Sequence, residues 1–163
     1  MTTLVFDIET DNLYDDVTKV HCGYTYNIDT QVYQGYRPDE VDQMIHDIHF
    51  ADTLVMHNGI GYDLPVLEKT QGFVYKGTVY DTMVAARLYN PDIKGGHSLR
   101  AWGKRLGVLK GTLDDDDGKV WSEFTEEMFE YNKDDVKVTN ALLEFLVGKG
   151  YTLDLLKENL ITI

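Results

Sequence analysis

Apolar and polar positions alternate from the start of the chain. In L-V-F-D-I-E-T, residues 4–10, Leu4, Phe6 and Ile8 share one side of a strand and Val5, Asp7 and Glu9 the other, because successive strand side chains point to opposite faces. The spacing predicts a first strand over 2–8, then KVHCGYTY at 19–26 and VYQGY at 32–36, the last two joined by a polar N-I-D-T-Q that suits a hairpin. The period then changes. Pro38 stands where a helix can begin, and Val41, Met44, Ile45 and Ile48 recur at helical spacing to about residue 49. TLVMH at 53–57 reads as a short buried strand; Gly59 and Gly61 loosen the chain before a helix carrying Leu64, Val66 and Leu67, which Gly72 ends. A strand near 78–81 leads into the helical MVAARLY, broken by Pro91, Gly95 and Gly96, and Ser98 can cap LRAWGKRLG.

The last long helix is the most legible. Thr125 is a good N-cap, Glu126 and Glu127 suit the dipole of the first turn, and Phe124 and Phe129 stand at the two positions of a hydrophobic staple. Met128, Tyr131, Asp135, Val138, Leu142 and Phe145 step by three or four residues, predicting an inner stripe that is apolar except at Asp135. Gly148 and Gly150 end it, and YTLDLLKENL at 151–160 predicts one more helix. Strands first, then strands mixed with helices, indicate an α/β or α+β domain whose sheet is partly antiparallel and partly parallel.

Length and composition narrow the setting. With 163 residues, 43% of them apolar, the chain fits one domain over 1–163. It has no apolar run of about 18 residues and no signal-peptide pattern, so a cytosolic protein is expected. The lone Cys22 excludes an internal disulfide and a cysteine zinc cluster, and reads as a small strand residue. A net charge of −13 does not suit tight nonspecific nucleic-acid binding, which is built on surplus Lys and Arg. It leaves room for an enzyme that holds a few nucleotides through metal ions. Part of the surplus is local, in L-D-D-D-D-G at 113–118, which is expected to be a solvated loop.

Four acids stand out. On a strand rising about 3.3 Å per residue, the stems of Asp7 and Glu9 lie about 6–7 Å apart on one face, so either that end is wet or a cation belongs there. Asp63 follows a glycine-loosened turn and could equally cap a helix. Asp135 interrupts a buried stripe and must be paired, protonated or metal-bound. Together they have the makings of a two-metal phosphoryl-transfer site, since hard cations such as Mg2+ or Mn2+ take carboxylate oxygens and an ion pair about 3.5–4 Å apart can stabilise both oxygens of an in-line displacement. Tyr131, one turn before Asp135, is placed to reach the attacking water.

In order and internal spacing, D-I-E-T at 7–10, N-G-I-G-Y-D at 58–63 and Y-N-K-D-D at 131–135 resemble the three motifs of DnaQ-like 3′→5′ exonucleases, in the subgroup with tyrosine in the third motif. H-S-L-R-A-W-G-K-R-L-G at 97–107 and the run from Phe124 to Glu144 look more particularly like the proofreading domain at the N-terminus of family A DNA polymerases from short-tailed phages. The resemblance implies a ribonuclease H-like fold, a mixed β-sheet flanked by helices, and release of nucleoside 5′-monophosphates from 3′ ends using two divalent ions, Mg2+ or Mn2+. It implies that Asp7, Glu9 and Asp135 hold one metal, that Asp7 bridges to a second supported by Asp63, and that Tyr131 orients the nucleophile. Leu13 would pack on the terminal base, and Thr10 and Asn58 would contact the strand; core leucine and turn asparagine are the alternatives for Leu13 and Asn58. Asp81, opening D-T-M-V, reads as a helix cap.

No polymerase region follows the third motif, as expected of a separately encoded exonuclease, the exonuclease half of a split polymerase or a fragment of a longer chain; a separately encoded polymerase chain is a candidate partner, one able to deliver the primer end that this acidic surface attracts poorly. The expected substrate is single-stranded DNA or a frayed primer end, in the cytoplasm of an infected bacterium if the chain is phage-encoded. RNA strands or short oligonucleotides are the alternative substrate, and a non-catalytic polymerase accessory module the alternative of another class.

Overall fold

A computed structural model of the chain describes residues 1–108 and 120–155. Five strands, β1 (Thr3–Thr10), β2 (Val20–Asn27), β3 (Val32–Tyr36), β4 (Thr53–Met56) and β5 (Thr78–Asp81), form one sheet in the order β3-β2-β1-β4-β5. β1 pairs antiparallel with β2, and β2 with β3, while β4 and β5 add in parallel on the other side of β1. This is the mixed α/β sheet expected. β1 runs two residues beyond the sequence expectation because β2 goes on pairing with it, Ile8 opposite Gly23 and Glu9 opposite Cys22. Glu9 is therefore inside the strand, and buried.

The alternation along β1 divides the core. Leu4, Phe6 and Ile8 pack with Val41, Met44 and Ile48 of α1 (Val41–His49) and Val66 and Leu67 of α2 (Asp63–Gln71). On the other face Val5 packs with Ala85 of α3 (Thr82–Tyr89), Trp102 of α4 (Leu99–Leu106) and Met128, Val136 and Leu142 of α5 (Glu126–Gly148). The sheet is thus sandwiched between helices, with Asp7 and Glu9 on the α5 side. Pro38 opens a single 3-10 turn, Pro38–Glu40, that leads into α1. Among the described residues no helix is long and apolar enough to cross a membrane.

α5 is held in place at its N-terminus. The Thr125 hydroxyl accepts a hydrogen bond from the Met128 N–H (3.1 Å), and the Phe124 and Phe129 rings lie 5.9 Å apart as a staple. Phe129 also meets Tyr24 of β2, ring centroids 4.7 Å apart, and closes over Gly35 of β3, where an added Cβ would come within 2.4 Å of the Phe129 ring. Arg37 lies 4.4 Å over the same ring and grips Glu126 with two 3.1 Å bonds, an exposed pair that water and salt screen.

The buried face of α5 differs from the expected stripe. Asn132, Val136, Thr139 and Leu146 are buried, whereas Tyr131 and Phe145 are only partly so. The two polar intruders find bonds inside: the Thr139 hydroxyl donates to the Asp135 carbonyl (2.8 Å) and the Asn132 amide donates to Asp7. Cys22 is a buried residue of β2, its thiol pKa pushed up by burial first and then by the negative charge of Glu9 and Asp7. The acidic run 113–118 lies outside the described residues, as does the second half of the helix expected over 151–160, whose described part is helical from residue 153 to 155.

Candidate active site

The far end of β1 and the middle of α5 meet over the sheet. One carboxylate oxygen from each of Asp7, Glu9 and Asp135 lies within 4.8 Å of the others, although Asp135 is 128 residues from Asp7 in sequence. Glu9 and Asp135 are buried and Asp7 is partly exposed. Three carboxylates this close cannot all stay ionised away from water without a compensating cation. The donor set is all hard oxygen, which fits Mg2+ or Mn2+ and not a soft metal.

Asp63 approaches from the opposite helical layer. It is the first residue of α2, whose N-cap position is Tyr62 with no side-chain cap bond, so the helix-cap reading of Asp63 does not hold. Instead its Oδ2 accepts a hydrogen bond from the Ile8 N–H of β1 (3.3 Å). Parallel pairing between β1 and β4 stops at Val5 and Val55, so this stretch of β1 lacks a strand neighbour on that side. Asp63 takes the vacated position beside Asp7 but lies outside the group of three. Burial, with smaller contributions from Asp81 and Asp135, raises its pKa to about 8.

A cleft of about 420 Å³ opens beside Glu9, lined by Ile8, Thr10, Asp11, Asn12, Leu13, Tyr62 and Trp121, within the size range of small-ligand sites. Leu13 is 77% exposed in its wall, so it is no core leucine. The Thr10 hydroxyl is engaged with the Asn12 carbonyl (2.9 Å) and the Tyr62 hydroxyl, and Tyr62 also donates to the Asn12 carbonyl (2.6 Å). This network ties the loop that carries Leu13 to the turn before Asp63. Trp121 also lines the cleft and meets the Tyr131 ring edge-on, 6.0 Å between centroids. Tyr131 thus borders the cleft through Trp121, one helical turn before Asp135.

Asn58 is a turn residue. Its φ of 61° is left-handed, and its N–H is held by Asp81 (2.9 Å); it does not line the cleft. Asp81 caps α3 as expected, accepting from the Met83 and Val84 N–H groups at 2.9 and 3.4 Å. The same carboxylate also accepts from Asn58 and from Ile60 (3.2 Å), clamping the turn that delivers Asp63. Sequence reasoning missed this second task, and it missed Asn132, Tyr62 and Trp121. Asn132 had a findable signal, since it lies three residues before Asp135 and therefore on the same helical face.

No family model matches the sequence. The DNA polymerases of Enterobacteria phage T3 and Escherichia phage T7 are each 35% identical to it over 186 aligned positions, which cover 89% of this chain and 26% of each polymerase. The chain spans about a quarter of the length of those relatives. Among solved structures, Brucella melitensis NrnC with bound Mg2+ superposes with a TM-score of 0.63 at 19% identity, covering 92% of this chain and 76% of that one. Exonuclease X in complex with 5′ overhanging duplex DNA gives 0.61 at 18% identity, covering 93% and 95%. The fold is the ribonuclease H-like fold of these nucleases. Over most of its length the chain is related in sequence to the T3 and T7 DNA polymerases, and it shares its fold with the DnaQ-like exonucleases.

Proposed function

We propose that the chain is a metal-dependent 3′→5′ exonuclease that trims single-stranded DNA or frayed primer ends to nucleoside 5′-monophosphates. The observation that carries this reading is the meeting of Asp7, Glu9 and Asp135, brought from the first strand and the last long helix to within 4.8 Å. Mg2+ bound to NrnC, DNA bound to Exonuclease X, and kinship with two DNA polymerases support it.

Asp7, Glu9 and Asp135 would hold one divalent ion, and Asp7 with Asp63 a second. Such ions, when bound, supply positive charge at the attacking and leaving oxygens and acidify the attacking water. The chain's own residues place the reactants. Leu13, which is exposed, and Trp121 both line the cleft and offer apolar surface to the terminal base. Tyr131 orients the attacking water. Thr10 and Asn58 act through the loops they shape, the first with Tyr62 and the second with Asp81. With a net charge of −13, the strand is held by the site more than by the surface, which favours a polymerase chain as the partner that delivers primer ends.

The test is incubation of the pure chain with 5′-labelled and 3′-labelled strands of DNA and RNA, with and without Mg2+ or Mn2+. The 5′-labelled DNA should shorten stepwise, and the 3′-labelled DNA should release its label as mononucleotide at once. Both should need the ion, and Asp7→Ala should abolish both. Inertness with either ion and either sugar would overturn the proposal; a large preference for RNA would replace its substrate.

A further inference from the structure

We infer that Asn132 is the positioning residue for Asp7, and that its amide sets how tightly the three-carboxylate site holds a divalent cation. The inference rests on the metal-dependent reading above. The Asn132 Nδ2 donates to the Asp7 carboxylate Oδ2 at 2.8 Å and to the Asp7 main-chain carbonyl at 3.2 Å. Both partners are pure acceptors, so the amide can face Asp7 only with its NH2 end, and its orientation is fixed.

Burial shows what this arrangement costs. Asn132 is wholly buried, and its Oδ1 has no hydrogen-bond partner among the described residues. An apolar side chain of the same size would avoid that penalty. What it would lose is the two-point grip. The bond to the carbonyl fixes β1 against α5, and the bond to Oδ2 fixes the carboxylate on that backbone. Of the three clustered acids, Asp7 is the one with access to solvent and hence the one whose side chain most needs holding. One turn of α5 therefore supplies both a carboxylate, Asp135, and the clamp on its counterpart from β1.

The experiment titrates Mn2+, followed by electron paramagnetic resonance, into the wild-type chain and Asn132→Leu, with folding checked by circular dichroism. Loss of an outer partner of this kind weakens metal binding roughly 10–100-fold. That shift is expected, together with hydrolysis that fails at low Mg2+, returns at high Mg2+, and keeps its KM for DNA. A folded Asn132→Leu whose Kd stays within about twofold of wild type overturns the inference. If the leucine variant does not fold, the comparison becomes Asn132→Ser with Asn132→Ala. Serine keeps a donor at nearly the size of alanine and should bind Mn2+ more tightly, whereas equal affinities would count against the clamp. Should the wild-type chain bind no Mn2+, the metal-dependent reading fails and takes the inference with it; wild-type binding with unchanged variants sinks the inference alone.

Discussion

Asp81 joins two pieces of the molecule through one side chain, and replacing it by asparagine separates them. The buried carboxylate accepts four main-chain N–H bonds, from Asn58, Ile60, Met83 and Val84. Three go to Oδ1 and one, from Ile60, to Oδ2. Hydrogen bonds to an ionised acceptor are worth about 1.5–3 kcal/mol each, against about 0.5–1.5 for neutral pairs. If the asparagine oxygen takes the Oδ1 position, the three bonds kept there each lose about 1 kcal/mol of charge assistance. The new NH2 then faces the Ile60 N–H, donor against donor. Water reaches the exposed Ile60 and softens that conflict, and losing a charge near Asp63 relieves some repulsion. A net cost of about 3 kcal/mol follows.

Urea denaturation of Asp81→Asn should show that loss, with a melting temperature lower by roughly 6–12 °C for a chain of this size. Asp81→Ser separates the two tasks, since serine caps a helix well but is too short to hold the 58–60 turn as well. Capping alone is worth about 0.5–2 kcal/mol. Asp81→Ser should therefore keep amide-exchange protection at Met83 and Val84 and lose it at Asn58 and Ile60. Wild-type stability in the serine variant, or equal loss of protection at all four amides, would refute the clamp.

Three other perturbations probe the site. The folded pKa of Asp63, about 8, stands above its ordinary 3.8, so the metal-free fold should lose stability as pH climbs from about 4 to about 8 and level off above, with a slope of at most about 1.4 kcal/mol per pH unit. Asp63→Asn should remove that fall in denaturation curves measured in chelator; an unchanged slope would show that Asp63 ionises freely in the fold. Leu13→Ala should leave stability within about 0.5 kcal/mol, because the side chain is 77% exposed, while raising KM for single-stranded DNA roughly fivefold through lost apolar contact. Tyr131→Phe should slow turnover about 10²-fold or more in single-turnover kinetics yet leave Mn2+ affinity alone; a matching loss of affinity would make the tyrosine part of the metal site.

Much of the frame was legible because period and caps agree. The strand over 32–36, the strand over 78–81 and the Thr125 cap with its phenylalanine staple all stand where the pattern puts them. The inner stripe of α5 was displaced because hydrophobicity favoured Tyr131 and Phe145 over Asn132 and Thr139. Those polar residues are buried because their partners lie one helical turn away or across on β1, and only the fold supplies the latter. The same limit hid the second half of Asp81. A cap is a local signal, readable from D-T-M-V, whereas a hold on residues 58–60 requires knowing that β4 and β5 are neighbours. Leu13 shows the reverse: its hydrophobicity left a core position open as the alternative to a base contact, and its place beyond the end of β1 leaves it in the cleft wall.

Acids from β1 and α5 also impose an order in time during synthesis. Residues 7 and 9 leave the ribosome early, but the cluster cannot close until the turn bearing Asp135 has emerged and laid itself on the sheet. The three-carboxylate cluster is thus absent from the early nascent chain and comes into being only once α5 has joined the sheet.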